Sequence, residues 1–152
     1  DYSTSSKRIL EIGCGMALSS LVLNQQSADI TATDYHPEAA KFLLRNTLLN
    51  GEQPIAYEQT DWADGHDNLG LFDLIIGSDL MYEEQHVALL ANFIEDHSKP
   101  KCEVIIVDPG RGRKNKLSAK MIGFGYRSCQ LKPIHTDCLN EDFKGHILKY
   151  QR

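Results

Sequence analysis

The chain contains no run of about eighteen apolar residues, so it has no helix of the kind that crosses a bilayer. The residues from Asp1 to Arg8 are polar, without the apolar stretch or small-residue cleavage site of a secretory signal, and a cytoplasmic location is the expectation. Cys14, Cys102, Cys129 and Cys138 lie far apart with no CxxC pair. The six histidines form no HxxxH or HxxEH pattern, so neither a disulfide framework nor a metal site is indicated. Positive charge is in deficit, with 16 Lys and Arg against 21 Asp and Glu, so the overall field does not attract nucleic acid. The local exception is the basic run Arg111, Arg113, Lys114, Lys116. No internal repeat, low-complexity tract or linker divides the 152 residues, and 41% hydrophobic content is ample for the core of one domain.

Short apolar runs alternate with helical patterns, as a parallel sheet covered on both faces requires. Strands are expected at 8–12, 29–33, 55–60, 71–77 and 102–107, with helices over about 17–26, 37–50, 83–97 and 117–122. Pro37 is placed at the first position of the second helix, and Gly51 stops it. The third helix carries Val87, Leu90, Ala91 and Ile94 on one face. Between strands three and four lies a polar loop, 61–70, with the single tryptophan, Trp62. Late strands near 126–131 and 145–150 have no helical pattern between them. They are read as a hairpin that adds an antiparallel strand to a mostly parallel, doubly wound, Rossmann-like sheet.

Such sheets bind ligands at the carboxyl ends of their strands. After the first strand comes Glu11-Ile-Gly13-Cys14-Gly15, where the glycines permit a tight turn and close approach of a ligand to the backbone. The helix that follows offers free N–H groups to an anion. Asp34, twenty-one residues after Gly13, stands where a carboxylate can accept from both hydroxyls of a ribose. A dinucleotide fingerprint wants a third small residue at position 18, and this chain has Leu18, which favours S-adenosylmethionine over NAD. Asp61 can accept from an adenine amino group, and the Trp62 indole can cover the base or plug the edge of the core. Glu11 either belongs to the cofactor loop or is a surface acid at a strand end, and Asp34 can also cap the second helix. Tyr35 and Ser78, adjoining Asp34 and the end of strand four, complete the candidate cofactor-binding set of Glu11, Gly13, Cys14, Gly15, Asp34, Tyr35, Asp61, Trp62 and Ser78.

Strand four ends in Phe72-Asp-Leu-Ile-Ile-Gly-Ser-Asp79-Leu-Met-Tyr82, which brings Asp79 and Tyr82 out beside the glycine loop. They are the catalytic candidates. The plain structural alternative is Asp79 as a helix cap and Tyr82 as a packing residue. With EIGCG, TATD, TDW and VDPGR in order along the chain, this segment resembles the seven-strand, S-adenosylmethionine-dependent lysine methyltransferases of the methyltransferase-16 group, whose signature is DxxY after strand four. The resemblance spans about residues 8–150, with Asn46 and Asn50 matching an asparagine pair in the second helix. It implies the strand order 3-2-1-4-5-7-6 with strand seven antiparallel. It also implies a protein substrate whose lysine is methylated. Family members carry several dozen residues before strand one, forming helices that cap the cofactor. This chain enters strand one by about residue 8, so the expectation is a single core, either a natural minimal form or a piece of a longer protein, with a pocket open on one side.

A methyl group on a sulfonium is already activated, and the remaining tasks are in-line positioning and delivery of an unprotonated nitrogen. A lysine of ordinary pKa, about 10.4, costs roughly 4 to 5 kcal/mol to hold neutral at pH 7, and burial beside a positive sulfur lowers that cost. Asp79, which favours the charged amine, is therefore read as the group that captures and orients it, with Tyr82 lining the nitrogen channel. Asp108 and Arg111 either shape the acceptor opening or pair with each other as a brace. A small-molecule amine or heterocycle is the alternative acceptor, and a non-catalytic binding module is the alternative of another class. Nucleic acid fits poorly, because Asp79-Leu-Met-Tyr82 lacks the prolines of base-amino methyltransferases.

Overall fold

The computed structural model describes residues 4–65, 68–134, 136 and 143–152. Seven strands, β1 (Arg8–Ile12), β2 (Asp29–Asp34), β3 (Ala56–Gln59), β4 (Phe72–Ser78), β5 (Ser98–Asp108), β6 (Arg127–Leu131) and β7 (His146–Gln151), form one sheet. Its order is β3-β2-β1-β4-β5-β7-β6. Strands β1 to β5 pair in parallel, while β7 runs antiparallel to both β5 and β6, so the hairpin expectation holds.

The helices are α1 (Leu18–Gln25), α2 (Ala39–Leu49), α3 (Glu84–Asp96) and α4 (Lys114–Gly123). Alternation along the central strands divides the core between the two faces of the sheet. Leu10, Ile12, Ile75, Val104 and Ile106 pack with Val87, Leu90, Ala91 and Ile94 of α3 and with Leu117 and Met121 of α4. On the opposite face Ile9, Ile30 and Leu74 meet Leu23 of α1, and Ala32 meets Ala39 and Leu43 of α2. The buried stripe of α3 is the one its spacing announces, and each such aliphatic side chain contributes about 1.5 to 3 kcal/mol on leaving water.

Local chemistry sets the helix ends. At the close of α2, Gly51 has φ +67°, its N–H donates to Leu48 O, and the Glu52 N–H reaches back to Thr47 O, a left-handed stop that glycine allows. The beginning of α2 differs from expectation. Pro37 lies in a turn ahead of the helix, where the Ala39 N–H donates to His36 O, and Glu38 is the flanking residue. Strand β5 starts four residues earlier than its apolar run suggests, at Ser98. A register shift between Phe72 and Leu74 takes up the irregular stretch that contains Pro100.

Candidate active site

A cavity of about 610 Å³ opens at the carboxyl ends of the parallel strands, inside the roughly 300–1,000 Å³ range of preformed ligand sites. Gly13, Gly15, Asp34 and Tyr35 form one wall, and Thr60, Asp61, Trp62 and Ala63 form the next. The rest is Ser78, Asp79, Leu80 and Tyr82, with Gln85, His86 and Leu89 from the first turns of α3. Of the eleven residues singled out by sequence, nine line this cavity. Glu11 and Cys14 do not.

Glu11 is on the α1 face of β1, the same face as Ile9. It is buried, and its Oε2 accepts from the Ser20 N–H at 3.0 Å and from the Ser20 hydroxyl. Burial pushes its carboxyl above the ordinary 4.5, against the opposing effect of those hydrogen bonds. It is therefore an internal tie between β1 and the first turn of α1. Cys14 is packed in the small cluster with Ala17, Ala32, Ala39 and Leu43. Burial, with Glu11 and Asp34 nearby, pushes its thiol up to about 12, which disfavours the thiolate.

The glycine loop is held from two sides. Asp34 Oδ2 accepts from the Gly15 N–H and Oδ1 from the His36 N–H, both at 2.8 Å. Asp34 thus braces the loop and caps no helix. Asn46 of α2 donates to Met16 O at 3.0 Å, and Asn50 donates to Asn46 O. Leu80 sits beneath the loop, close to both Gly13 and Gly77.

Trp62 has both of its expected surroundings. The indole lines the cavity, meets the His86 ring edge-on at 5.9 Å between centroids, and leans on Phe93 of the core. The exposed Asp61 carboxylate accepts from the Ala63 N–H in a local turn. Thr60 is 5% exposed, and its Oγ1 has no hydrogen-bond partner among the described residues.

Asp79 does not cap α3, because Glu83 does so in a reciprocal box with His86. Its N–H donates instead to Val107 O at 2.9 Å, and its backbone is left-handed, φ 55°. Its carboxylate receives two hydrogen bonds from Arg111: one from Nε and one from Nη2 at 2.8 Å. The Arg111 guanidinium also lies 4.2 Å from the centroid of the Tyr82 ring. Hydrogen bonding to Arg111 holds the Asp79 carboxyl below the usual carboxylate range. The expected brace between Asp108 and Arg111 is therefore replaced by one to Asp79. Gly110 and Gly112, with φ +108° and +82°, turn the loop over the end of β4, while the carboxylate of buried Asp108 accepts, among the described residues, from the Gly110 N–H. The rest of the basic run is engaged internally. Arg113 and Lys116 reach Glu84, and Lys114 Nζ lies 2.9 Å from His146 Nε2.

Sequence reasoning missed Thr60, Ala63, Leu80, Gln85, His86 and Leu89. The last three had a readable signal, since they follow Tyr82 at helical spacing.

A family model described as lysine methyltransferase matches residues 1–122. The chain is 29% identical over 106 residues to protein N-lysine methyltransferase METTL21A of Danio rerio, covering 66% of this chain and 48% of that protein. It is 33% identical over 105 residues to the histidine protein methyltransferase 1 homolog of Dictyostelium discoideum, covering 64% and 34% respectively. The chain thus spans about half and about a third of these relatives' lengths. Among solved structures, a methyltransferase from Pyrococcus furiosus superposes with a TM-score of 0.76 at 22% identity, over 95% of this chain and 74% of that one. Ribosomal protein L11 methylase of Lactobacillus delbrueckii subsp. bulgaricus gives 0.74 at 18% identity, over 96% and 70%. These two likenesses establish the class I methyltransferase fold. Motif order and family match together place the chain in the lysine methyltransferase family.

Proposed function

We propose that the protein transfers a methyl group from S-adenosylmethionine to the side-chain nitrogen of a lysine in another protein. The observation that carries the reading is the convergence of Asp34, Thr60 and Asp61 on one side of the cavity with Asp79 and Tyr82 on the other.

The cofactor half fits its ligand in three respects. Nothing lies within 4 Å of where a Gly15 side chain would begin, so the backbone there is open to close approach. The unpartnered Thr60 hydroxyl can donate to or accept from a bound molecule. Asp34 and Asp61 supply acceptors for hydroxyl and amino groups, beside the flat face of Trp62. S-adenosylmethionine, when bound, supplies a methyl group on a positively charged sulfur.

The chain's own residues then have to present a neutral nitrogen in line with that methyl group. Asp79 draws in the ammonium and fixes its direction, and the Tyr82 ring bounds its path. Apolar surface from Leu80 and Trp62 reduces hydration around the amine and so favours its neutral form. The proton departs to water at the exposed rim beside Tyr82. Asp79 is the orienting group; its depressed pKa makes it a poor base.

The test incubates the full-length protein with methyl-labelled S-adenosylmethionine and a lysate of its own organism. Label in a discrete protein band that releases methyl-lysine on hydrolysis is the expected result. Methyl-histidine would move the acceptor to the one named for the Dictyostelium relative. Label confined to small molecules would overturn the protein-substrate reading.

A further inference from the structure

Asp79 and Tyr82, on the acceptor side of the cavity, already hold a cation supplied by Arg111, which is not itself among the lining residues. Arg111 places a two-pronged guanidinium on Asp79 and stacks the same group over Tyr82, 4.2 Å from the ring centroid, so both residues assigned to receive an ammonium are occupied. We propose that Arg111 is the specificity latch of the acceptor site: it fills the cation position of Asp79 and Tyr82 and must swing aside for an acceptor to enter. The latch rests on the reading of Asp79 and Tyr82 as the acceptor pair.

The surroundings suit a part that moves. The Arg111 side chain is 35% exposed, and the acceptors of its guanidinium among the described residues are the Asp79 carboxylate and the Tyr82 hydroxyl. Gly110 and Gly112 flank it in left-handed conformations. Both lack side chains, so the peptides on either side of Arg111 can reorient at little steric cost. The loop keeps its own anchor when Arg111 leaves, because Arg113 donates to Met81 O and approaches Glu84 at 3.8 Å.

The latch also selects among acceptors. A lone alkylammonium offers one charge in exchange for a guanidinium that makes two hydrogen bonds and a ring contact, and the exchange is unfavourable. A lysine on a protein surface brings further contacts outside the cavity that compensate for releasing Arg111. Free amines are thereby rejected without any narrowing of the pocket.

The test uses n-butylammonium as the probe, with the full-length protein, and follows the Tyr82 ring resonance, identified by Y82F. Arg111→Met keeps the aliphatic stem and removes the cation. It should bind the probe about fivefold more tightly than wild type, a change of the size that an exposed ion pair and a surface cation–π contact imply. Asp79→Asn added to it should abolish the gain, and low millimolar guanidinium should compete with the probe. Arg111→Lys, which keeps charge without the fork, should fall between. Equal or weaker binding by Arg111→Met, or strengthening by guanidinium, would overturn the latch and make Arg111 a support for Asp79. If wild type labels no lysine while the gain in Arg111→Met persists, the acceptor assignment fails and the latch remains as a gate for cations.

Discussion

Leu80 fills the space beside Gly13: a Cβ at position 13 would lie 2.5 Å from Leu80 Cδ2, and one at Gly77 would lie 2.6 Å from Leu80 Cδ1. One side chain of the Asp79–Tyr82 segment therefore keys into the ends of both β1 and β4. Gly13→Ala meets this leucine and also forces alanine into φ +63°. It should cost about 2 to 4 kcal/mol, as overpacking and a left-handed backbone together imply. Leu80→Ala in the same chain should recover part of that loss, a coupling that a double-mutant cycle on thermal unfolding would read.

Thr60→Val separates stability from binding. The valine removes a buried hydroxyl that has no partner among the described residues, so the free protein should be unchanged or more stable by up to about 1 kcal/mol. Calorimetric titration with S-adenosylmethionine should show affinity falling about fivefold, the loss expected of one neutral hydrogen bond. Unchanged affinity would remove Thr60 from the cofactor wall.

Asp34 and Asp79 should fail in different assays. Asp34→Asn loses the carboxylate that holds the Gly15 and His36 N–H groups, and S-adenosylmethionine should bind at least about tenfold more weakly, as for a charge-assisted hydrogen bond. Asp79→Asn should keep cofactor affinity within about twofold, since Asp79 stands on the acceptor side, apart from Asp34, Thr60 and Asp61, and should lose methyl transfer. Normal turnover by Asp79→Asn would withdraw its role toward the acceptor.

Glu11 predicts the sign of a pH effect. Its folded pKa is raised, so between the ordinary carboxylate value and that raised value the folded state holds more protons than the unfolded one. Its contribution to stability is complete below the ordinary value and is lost as pH rises through the folded pKa. Glu11→Gln keeps an oxygen for the Ser20 N–H and carries no charge. Its stability relative to wild type should therefore increase from acid to neutral pH in chemical denaturation, and a flat difference would show that Glu11 does not titrate in this window.

What could be read from the sequence followed from local rules. Gly51, the Val87 to Ile94 stripe and the Gly13 and Gly15 turn are each decided by neighbours within a few residues. Parity along β1 could also have placed Glu11 on the α1 face, two residues from Ile9. Contacts between distant segments were not readable that way. Arg111 finds Asp79 across thirty-two residues, in preference to Asp108 three residues away, because the two glycines turn its loop over β4. The early start of β5 was hidden because Pro100 and its polar neighbours read as a connection until the register shift accommodates them.

The cavity's walls come from successive strand ends, and this division separates two kinds of inheritance. The connections after β1, β2 and β3 meet the cofactor side, that after β4 supplies Asp79 and Tyr82, and that after β5 brings Arg111 onto Asp79 from outside the lining. On the proposed reading, changes after β4 and β5 would redirect the site to another nucleophile while the donor side stays as it is. Descendants of such a fold can diversify one loop at a time, each remaining competent to load its methyl donor while its target drifts.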